Sequence, residues 1–294
     1  MAHEAVVLLT TWNRPNLLGQ SLPQIEREAA RIGARLVIAD DQSGDPETRA
    51  LLMAAQEHGA DLIRRPYARG NPSVADAFIH HERTVALRHL LGSTRGSDIV
   101  GEHARNHADK DALSNSVIGL WNQAIATAHE NAQRNNLFGF GHVLTEYERA
   151  PFILKVDDDV ALEEGAFERM LSTWRQAEGD GHDVLTVSGI RTVYQAVMVQ
   201  MPTYAITRGM CSVAALYRRS DWIDFRERTA ESVILREGFD LAFVHSYAPT
   251  YRRGAVSVSL TPSAVYHTGF NGLHVRNLDL NCDYGSSTEG IVVQ

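Results

Sequence analysis

Three times in this chain an apolar run of strand length breaks directly into acids or hydrogen-bonding groups. AVVLLT (Ala5 to Thr10) leads into Thr11–Arg14, RLVIA (Arg35 to Ala39) into Asp40 and Asp41, and PFILKV (Pro151 to Val156) into Asp157, Asp158 and Asp159. A short, continuous apolar run is how a strand buried on both faces reads, because neither side of it meets water. Between the first two runs Pro15 is placed to open a helix, and Leu17, Leu18, Leu22, Ile25 and Ala29 recur at helical spacing until Gly33. Pro46 to His58 predicts a second helix and Asp61 to Arg64 a third strand. Buried strands alternating with helices imply right-handed crossovers in a parallel sheet, with ligands at the carboxyl ends of the strands. The expectation is an α/β fold, a mostly parallel sheet flanked by helices, with Thr11–Arg14 and Asp40–Asp45 as the loops that matter.

Beyond Pro66 the pattern fades into Gly, Pro, His, Arg and Ser up to Asp111, with a short helical stretch around Glu82 to Leu91, and reads as an insertion. Helical spacing returns over Leu113 to Arg134, followed by a Gly-rich loop. After the aspartates come a helix (Glu163 to Ala177), strand-like runs at Val184 to Ile190, Thr192 to Met201 and Cys211 to Tyr217, and a mostly helical stretch from Ser220 to Val244 interrupted at Gly238. Ala255 to Leu260 and Ser263 to His267 predict short strands, and Thr268 to Gln294 an irregular tail. With 44% hydrophobic and 22% charged residues over 294 positions, the composition excludes disorder as the main state. A net charge of −8, from 28 basic and 36 acidic residues, excludes a global positive field, so nucleic acid would need a local basic patch. Cys211 and Cys282 stand far apart in no metal-ligand spacing, which favours a reducing compartment. The apolar N-terminal run has no basic start and no small-residue cleavage site, and no stretch approaches the roughly 20 apolar residues of a membrane span, so a cytoplasmic location is expected.

Three adjacent carboxylates repel one another and are costly in a dry interior, so a divalent cation with oxygen ligands is one natural stabiliser, bridging a phosphorylated substrate. The other reading is an acidic strand-end loop in which Asp159 or a neighbour caps the next helix. Asp40 and Asp41 in ADDQSGD suit either nucleoside recognition or an Asx-turn with helix capping by Ser43 or Asp45. In TTWNRP, Arg14 is placed to meet a phosphate or to make a solvated surface contact.

The order of these three motifs resembles that of the family 2 glycosyltransferases of the GT-A fold, whose usual beginning reads PTYNR … VDDGSTD. Here Thr10 takes the place of Pro and Gln42 that of Gly, and the likeness runs over residues 4–64 and 113–170. The resemblance implies a single Rossmann-like GT-A domain over 1–294: a nucleotide-binding half, 1–112, with the insertion about 66–111, and a second half, 113–294, for the DXD motif and acceptor. It implies a hexosyl- or pentosyltransferase that moves a sugar from a nucleotide-sugar donor to an acceptor hydroxyl with Mn²⁺ or Mg²⁺, by inversion in the family's usual manner. By it Thr11, Asn13 and Arg14 sit at the nucleotide site, Asp41 contacts the base with Asp40 beside it, Asp157 and Asp159 are the DXD acids, and Asp158 joins the donor contacts. REGFDLAF at 236–243 is similar to the family's EDxDLxxR element, with Glu237 and Asp240 retained and Gly238 where the second acid stands. The family's base is commonly that missing acid, so the role passes to Asp240, preferred, or Glu237. His267 in SAVYHTG resembles the position that supplies an imidazole to the cation, which makes Asp157, Asp159 and His267 the implied metal ligands.

The other histidines, His80, His81, His103 and His107 among them, lack ligand spacing. Trp222 and Tyr247 suit an acceptor wall or core packing, with core packing the better prior for a single aromatic. Arg218, Arg219, Arg226, Arg228, Arg236, Arg252 and Arg253 either face an anionic acceptor or pair with the interleaved Asp221, Asp224, Glu227 and Glu231, and the interleaving favours pairing. Two other function classes compete. A nucleotidyltransferase would show a Gly-rich phosphate loop near its first strand, which TTWNRP is not. A catalytically silent nucleotide-sugar binding module is compatible with Gly238. The acceptor is left open between a small molecule, a glycan, a protein and modified DNA.

Overall fold

The computed structural model describes residues 3–66, 130–192 and 195–268. The predicted insertion beyond residue 66, helix 113–129, the tail from 269 onward, Cys282 and the four histidines His80, His81, His103 and His107 lie outside them.

The first apolar run forms β1 (Ala5–Thr11), buried at every position. Pro15 stands in the first turn of α1 (Pro15–Arg31), and Gly33 takes up the left-handed φ of 63° that turns the chain into β2 (Arg35–Asp40). Asp45 caps α2 (Pro46–Glu57), its side chain accepting from Thr48 N at 2.7 Å, and β3 (Asp61–Arg64) follows. Residues 130–146 are helical (α3) and lead into β4 (Phe152–Asp157). Then come β5 (Val160–Leu162), α4 (Ala166–Gly179), β6 (Val184–Ser188), β7 (Ala196–Gln200), β8 (Tyr204–Arg208) and β9 (Ala214–Arg218). The helix α5 (Arg219–Arg228) ends at the extended Thr229, and α6 (Glu231–Glu237) ends at Gly238, whose φ of 92° breaks the helix where the sequence pattern is interrupted. A further helical run, 239–251 (α7), has a π-helical middle at Ala242–Tyr247, before β10 (Val256–Leu260) and β11 (Val265–His267).

The fold class is α/β, a nine-stranded sheet in the order β3-β2-β1-β4-β9-β6-β10-β8-β7 with helices on both faces. The parallel order expected from the early motifs holds through β3-β2-β1-β4. Beyond it the sheet is mixed: β9 runs antiparallel to β4 and β6, β6 and β10 are parallel, and β8 and β7 complete the edge antiparallel. Alternation along β1 splits the core. Val7 and Leu9 pack with Leu18, Leu22 and Ile25 of α1 and Trp174 of α4, while Val6 and Leu8 pack with Phe140, Trp222 and Phe243 on the other face. Burial of each such side chain contributes about 1.5–3 kcal/mol.

Two local expectations change. The glycines read as a loop after Arg134 lie in α3, because Gly139 lets that helix settle onto the sheet: a Cβ there would stand 2.9 Å from Leu8 Cδ1 and 3.0 Å from Ala39 Cβ. The single run Thr192 to Met201 is instead a short exposed edge strand, β7, and β8 beside it had no separate sequence signal.

Candidate active site

Register decides where the three motifs end up. Thr11 of β1 is level with Asp40 of β2, and Thr10 with Asp157 of β4, so all three acidic or polar loops leave the sheet side by side at the carboxyl ends of these parallel strands. Thr10 Oγ1 donates to Asp157 Oδ1 at 3.0 Å and Thr11 Oγ1 to Asp158 Oδ2 at 2.6 Å. One nitrogen of Arg14, Nη1, donates to Asp158 Oδ1 at 3.0 Å and to Asp159 Oδ2 at 2.8 Å. His267 Nε2 lies 3.3 Å from that same oxygen of Asp159. The histidine is brought there by β11, which pairs antiparallel with β5 so that His267 opposes Val160, and by the bond from Thr268 N to Asp159 O at 2.8 Å. The remaining cation is Lys155, buried within β4, whose Nζ donates to Asp157 Oδ1 at 2.5 Å and to the Ser212 carbonyl at 3.1 Å.

These contacts pull the acids apart in proton affinity. Burial pushes Asp158 up to about 6 against the opposing charge of Arg14. Burial would raise Asp159 too, but the hydrogen bond from His267 and the charge of Arg14 outweigh it and hold that carboxyl well below the usual range. Burial acts to lower His267, yet its bond to Asp159 raises it above the ordinary imidazole value. For Arg14 burial is likewise outweighed, by Asp158, Asp159 and Asp157 in turn, so its guanidinium is held more firmly charged.

The second loop is tied to the first through Asn13. Its backbone N donates to Ser43 Oγ at 3.0 Å, and its Oδ1 accepts from Gly44 N at 2.8 Å and Asp45 N at 3.0 Å. Asp40, fully buried, accepts from Ser43 N and Oγ at 3.0 and 2.6 Å and from Arg64 Nε at 3.1 Å. Asp41 Oδ1 takes both Nε and Nη2 of Arg65 at 2.8 Å, and Asp41 N donates to Thr11 O at 3.1 Å. The Asx-turn and helix-cap reading therefore describes Asp40, Ser43 and Asp45 as they stand. Gln42, in the position where the related motif has Gly, adopts a φ of 58° and donates to the Arg65 carbonyl at 2.5 Å.

The two candidate bases differ in surroundings. Asp240 Oδ2 accepts from Ser212 Oγ at 2.8 Å, and the Ser212 backbone carbonyl accepts from Lys155, so Asp240 joins the aspartate cluster through two residues. Phe239 N is held by Gln133 Oε1 of α3 at 3.0 Å, which fixes the start of α7. Glu237 instead pairs with Arg236 at 2.8 Å and accepts from Ser246 Oγ at 3.1 Å. Arg236 first, and then Ser246, hold it below the usual glutamate range, which makes it a weaker base. Trp222 and Tyr247 are core residues, 0% and 1% exposed. Five of the seven C-terminal arginines pair with carboxylates: Arg218 with Glu178, Arg226 with Glu231, Arg228 with Asp224, Arg236 with Glu237 and Arg252 with Asp221 and Asp183; Arg219 donates to Leu144 O, and Arg253 shows no such pair among the described residues. Lys155, Ser212, Arg65 and Gln133 had not been singled out in the sequence. Only Lys155 carries a signal there, as one charge inside an otherwise apolar strand.

The chemistry of the donor set fits a divalent cation in part. Asp159 offers oxygen and His267 nitrogen, and His267 Nδ1 is buried with no partner among the described residues. Asp157, the third implied ligand, is engaged by Lys155, and Asp159 shares its Oδ2 with Arg14. Among the described residues no group of three or more His, Cys, Asp or Glu side chains is arranged to hold a metal ion. Nor is any described helix long and apolar enough to cross a membrane.

No protein-family model matches the chain, and no curated protein matches it. Among solved structures it is similar to S. aureus TarS, at 12% identity and a TM-score of 0.48 over 90% of this chain and 36% of that one. S. aureus TarS 1–349 in complex with UDP gives 12% identity and 0.47 over 89% and 59%. The mannosyltransferase PcManGT from Pyrobaculum calidifontis in complex with GDP-Man and Mn²⁺ gives 12% and 0.43 over 87% and 54%. The chain thus spans between about a third and three-fifths of the length of these proteins. At such identities and scores nothing about its chemistry follows from the likeness.

Proposed function

We propose that the chain is a GT-A, family 2-like glycosyltransferase that moves a sugar from a nucleotide-sugar donor to an acceptor hydroxyl, with inversion at the anomeric carbon. The observation that carries this reading is the meeting of three strand ends, with Thr10, Thr11 and Arg14 bonded directly to Asp157, Asp158 and Asp159 and Asn13 bonded to the loop after Asp40 and Asp41. Thr11, Asn13, Arg14, Asp40, Asp41 and Asp158 form the floor and wall of the donor site. Asp157, Asp159 and His267 would hold Mn²⁺ or Mg²⁺, which when bound neutralises charge on the departing nucleoside diphosphate. Asp240 is the base, preferred to Glu237 because it is linked to the cluster through Ser212 and Lys155, whereas Glu237 is tied up by Arg236. It takes the acceptor hydroxyl's proton as that oxygen bonds to the anomeric carbon and the sugar–phosphate bond breaks, its electron pair leaving with the diphosphate.

Thermal stabilisation by UDP-, GDP-, CMP- and dTDP-sugars, with and without Mn²⁺, tests the donor site, since a ligand at a hundred times its Kd adds about 2.7 kcal/mol. One nucleotide should stabilise the chain in a metal-dependent way, and a flat response to every donor would sink the reading. Asp240→Asn should keep that response and lower transfer by about 10² to 10⁴. Gly238, standing in place of an acid, favours a silent binding module as the second reading. Donor binding without release of nucleoside diphosphate to any acceptor tried or to water would select it.

A further inference from the structure

Asp159 Oδ2 is shared by two side chains. Arg14 Nη1 reaches it at 2.8 Å and His267 Nε2 at 3.3 Å. Arg14 makes its contacts with one nitrogen serving both acids, not with the paired fork that gives arginine–carboxylate pairs their strength. The arginine is also more solvent-accessible than either acid it pairs with, its side chain 24% exposed against 3% and 8% for Asp158 and Asp159. It is the last residue before α1, with non-helical φ and ψ of −129° and 63°, and no side-chain bond ties it to that helix. Beneath it, His267 keeps Nδ1 buried and without a partner among the described residues. The oxygen that a divalent cation would share with His267 is therefore covered by a loosely anchored guanidinium.

We propose that Arg14 is a displaceable counter-ion: its guanidinium neutralises Asp158 and Asp159 as the chain folds, and a divalent cation must displace it from Asp159 to bind there. This rests on the reading of Asp159 and His267 as cation ligands given above. Lys155, anchored to both Asp157 and the Ser212 carbonyl and almost fully buried, is the permanent counterpart, and Arg14 the exchangeable one. The consequence is that Arg14 sets metal affinity by competition, opposite in sign to what a residue supporting the metal site would do.

The test is Mn²⁺ binding to the full chain with no nucleotide present, followed by the loss of the free-ion electron paramagnetic resonance signal, with melting curves confirming that each variant is folded. Arg14→Gln should bind Mn²⁺ about tenfold or more tightly than wild type, the size of effect that one lost charge-assisted contact supports. Arg14→Lys, a single point charge, should fall between them and guards against a fold defect in the first variant. Asp159→Asn should abolish binding in either background. Equal or weaker binding by folded Arg14→Gln overturns the proposal, and so does no Mn²⁺ binding by any form. If a sugar nucleotide still stabilises the protein in that last case, the transferase reading stands alone. If Arg14→Gln binds Mn²⁺ more tightly but no sugar nucleotide stabilises any form, the counter-ion role stands and the transferase reading falls.

Discussion

A lysine in the middle of a strand buried on both faces must meet a carboxylate or carry an uncompensated charge. Lys155 meets Asp157, and the pair is asymmetric, 2% and 28% exposed. Lys155→Met keeps the volume and removes the charge, leaving Asp157 Oδ1 with the Thr10 hydroxyl among the partners described here. We expect a loss of about 1–3 kcal/mol in urea unfolding, less than for a fully buried pair because Asp157 keeps some water. Adding Asp157→Asn should recover most of it, and a strictly additive double variant would show that the two side chains are not coupled. Residues 155 and 157 stand together in the sequence, so this pair is legible there. The bond from Arg14 to Asp158, across 144 positions, is not.

At the scale of elements, glycine is the ambiguous letter. It marks loops because it tolerates any φ, and it marks close packing because it has no Cβ, and the local pattern does not separate the two. Gly238 is of the first kind, ending α6 at a φ of 92° where the helical spacing also stops. Gly139 is of the second kind, in α3 against Leu8 and Ala39, a contact known only once α3 is laid on β1 and β2. Gly139→Ala should destabilise by about 1–3 kcal/mol although alanine is the better helix former by about 1 kcal/mol, because the Ala39 Cβ cannot move aside as a flexible side-chain end would. An unchanged or raised melting temperature would mean that α3 does not sit so close.

For the whole molecule, the sheet separates two cores, and the aromatic one holds the candidate base in place. Trp222 lies among Phe140, Tyr217, Phe225, Phe239 and Phe243, with ring centroids from 3.9 to 6.0 Å, and Phe239 is the neighbour of Asp240. Trp222→Ala should cost about 3–5 kcal/mol in stability. An acceptor wall would behave differently, raising the acceptor KM with stability unchanged, and that outcome would refute the core assignment. The sequence by itself determined the α/β class, the buried strands and the positions where each ends in polar groups, because burial on two faces and helical periodicity are written in neighbouring residues. Only the tertiary structure decided that those three ends lie side by side, that Arg14 supplies counter-charge to Asp158 and Asp159, and that Asp240 and not Glu237 is joined to the cluster. Those outcomes depend on strand register and on ion pairs between distant positions, and Coulomb attraction acts through space, where the order of residues along the chain carries no record of it.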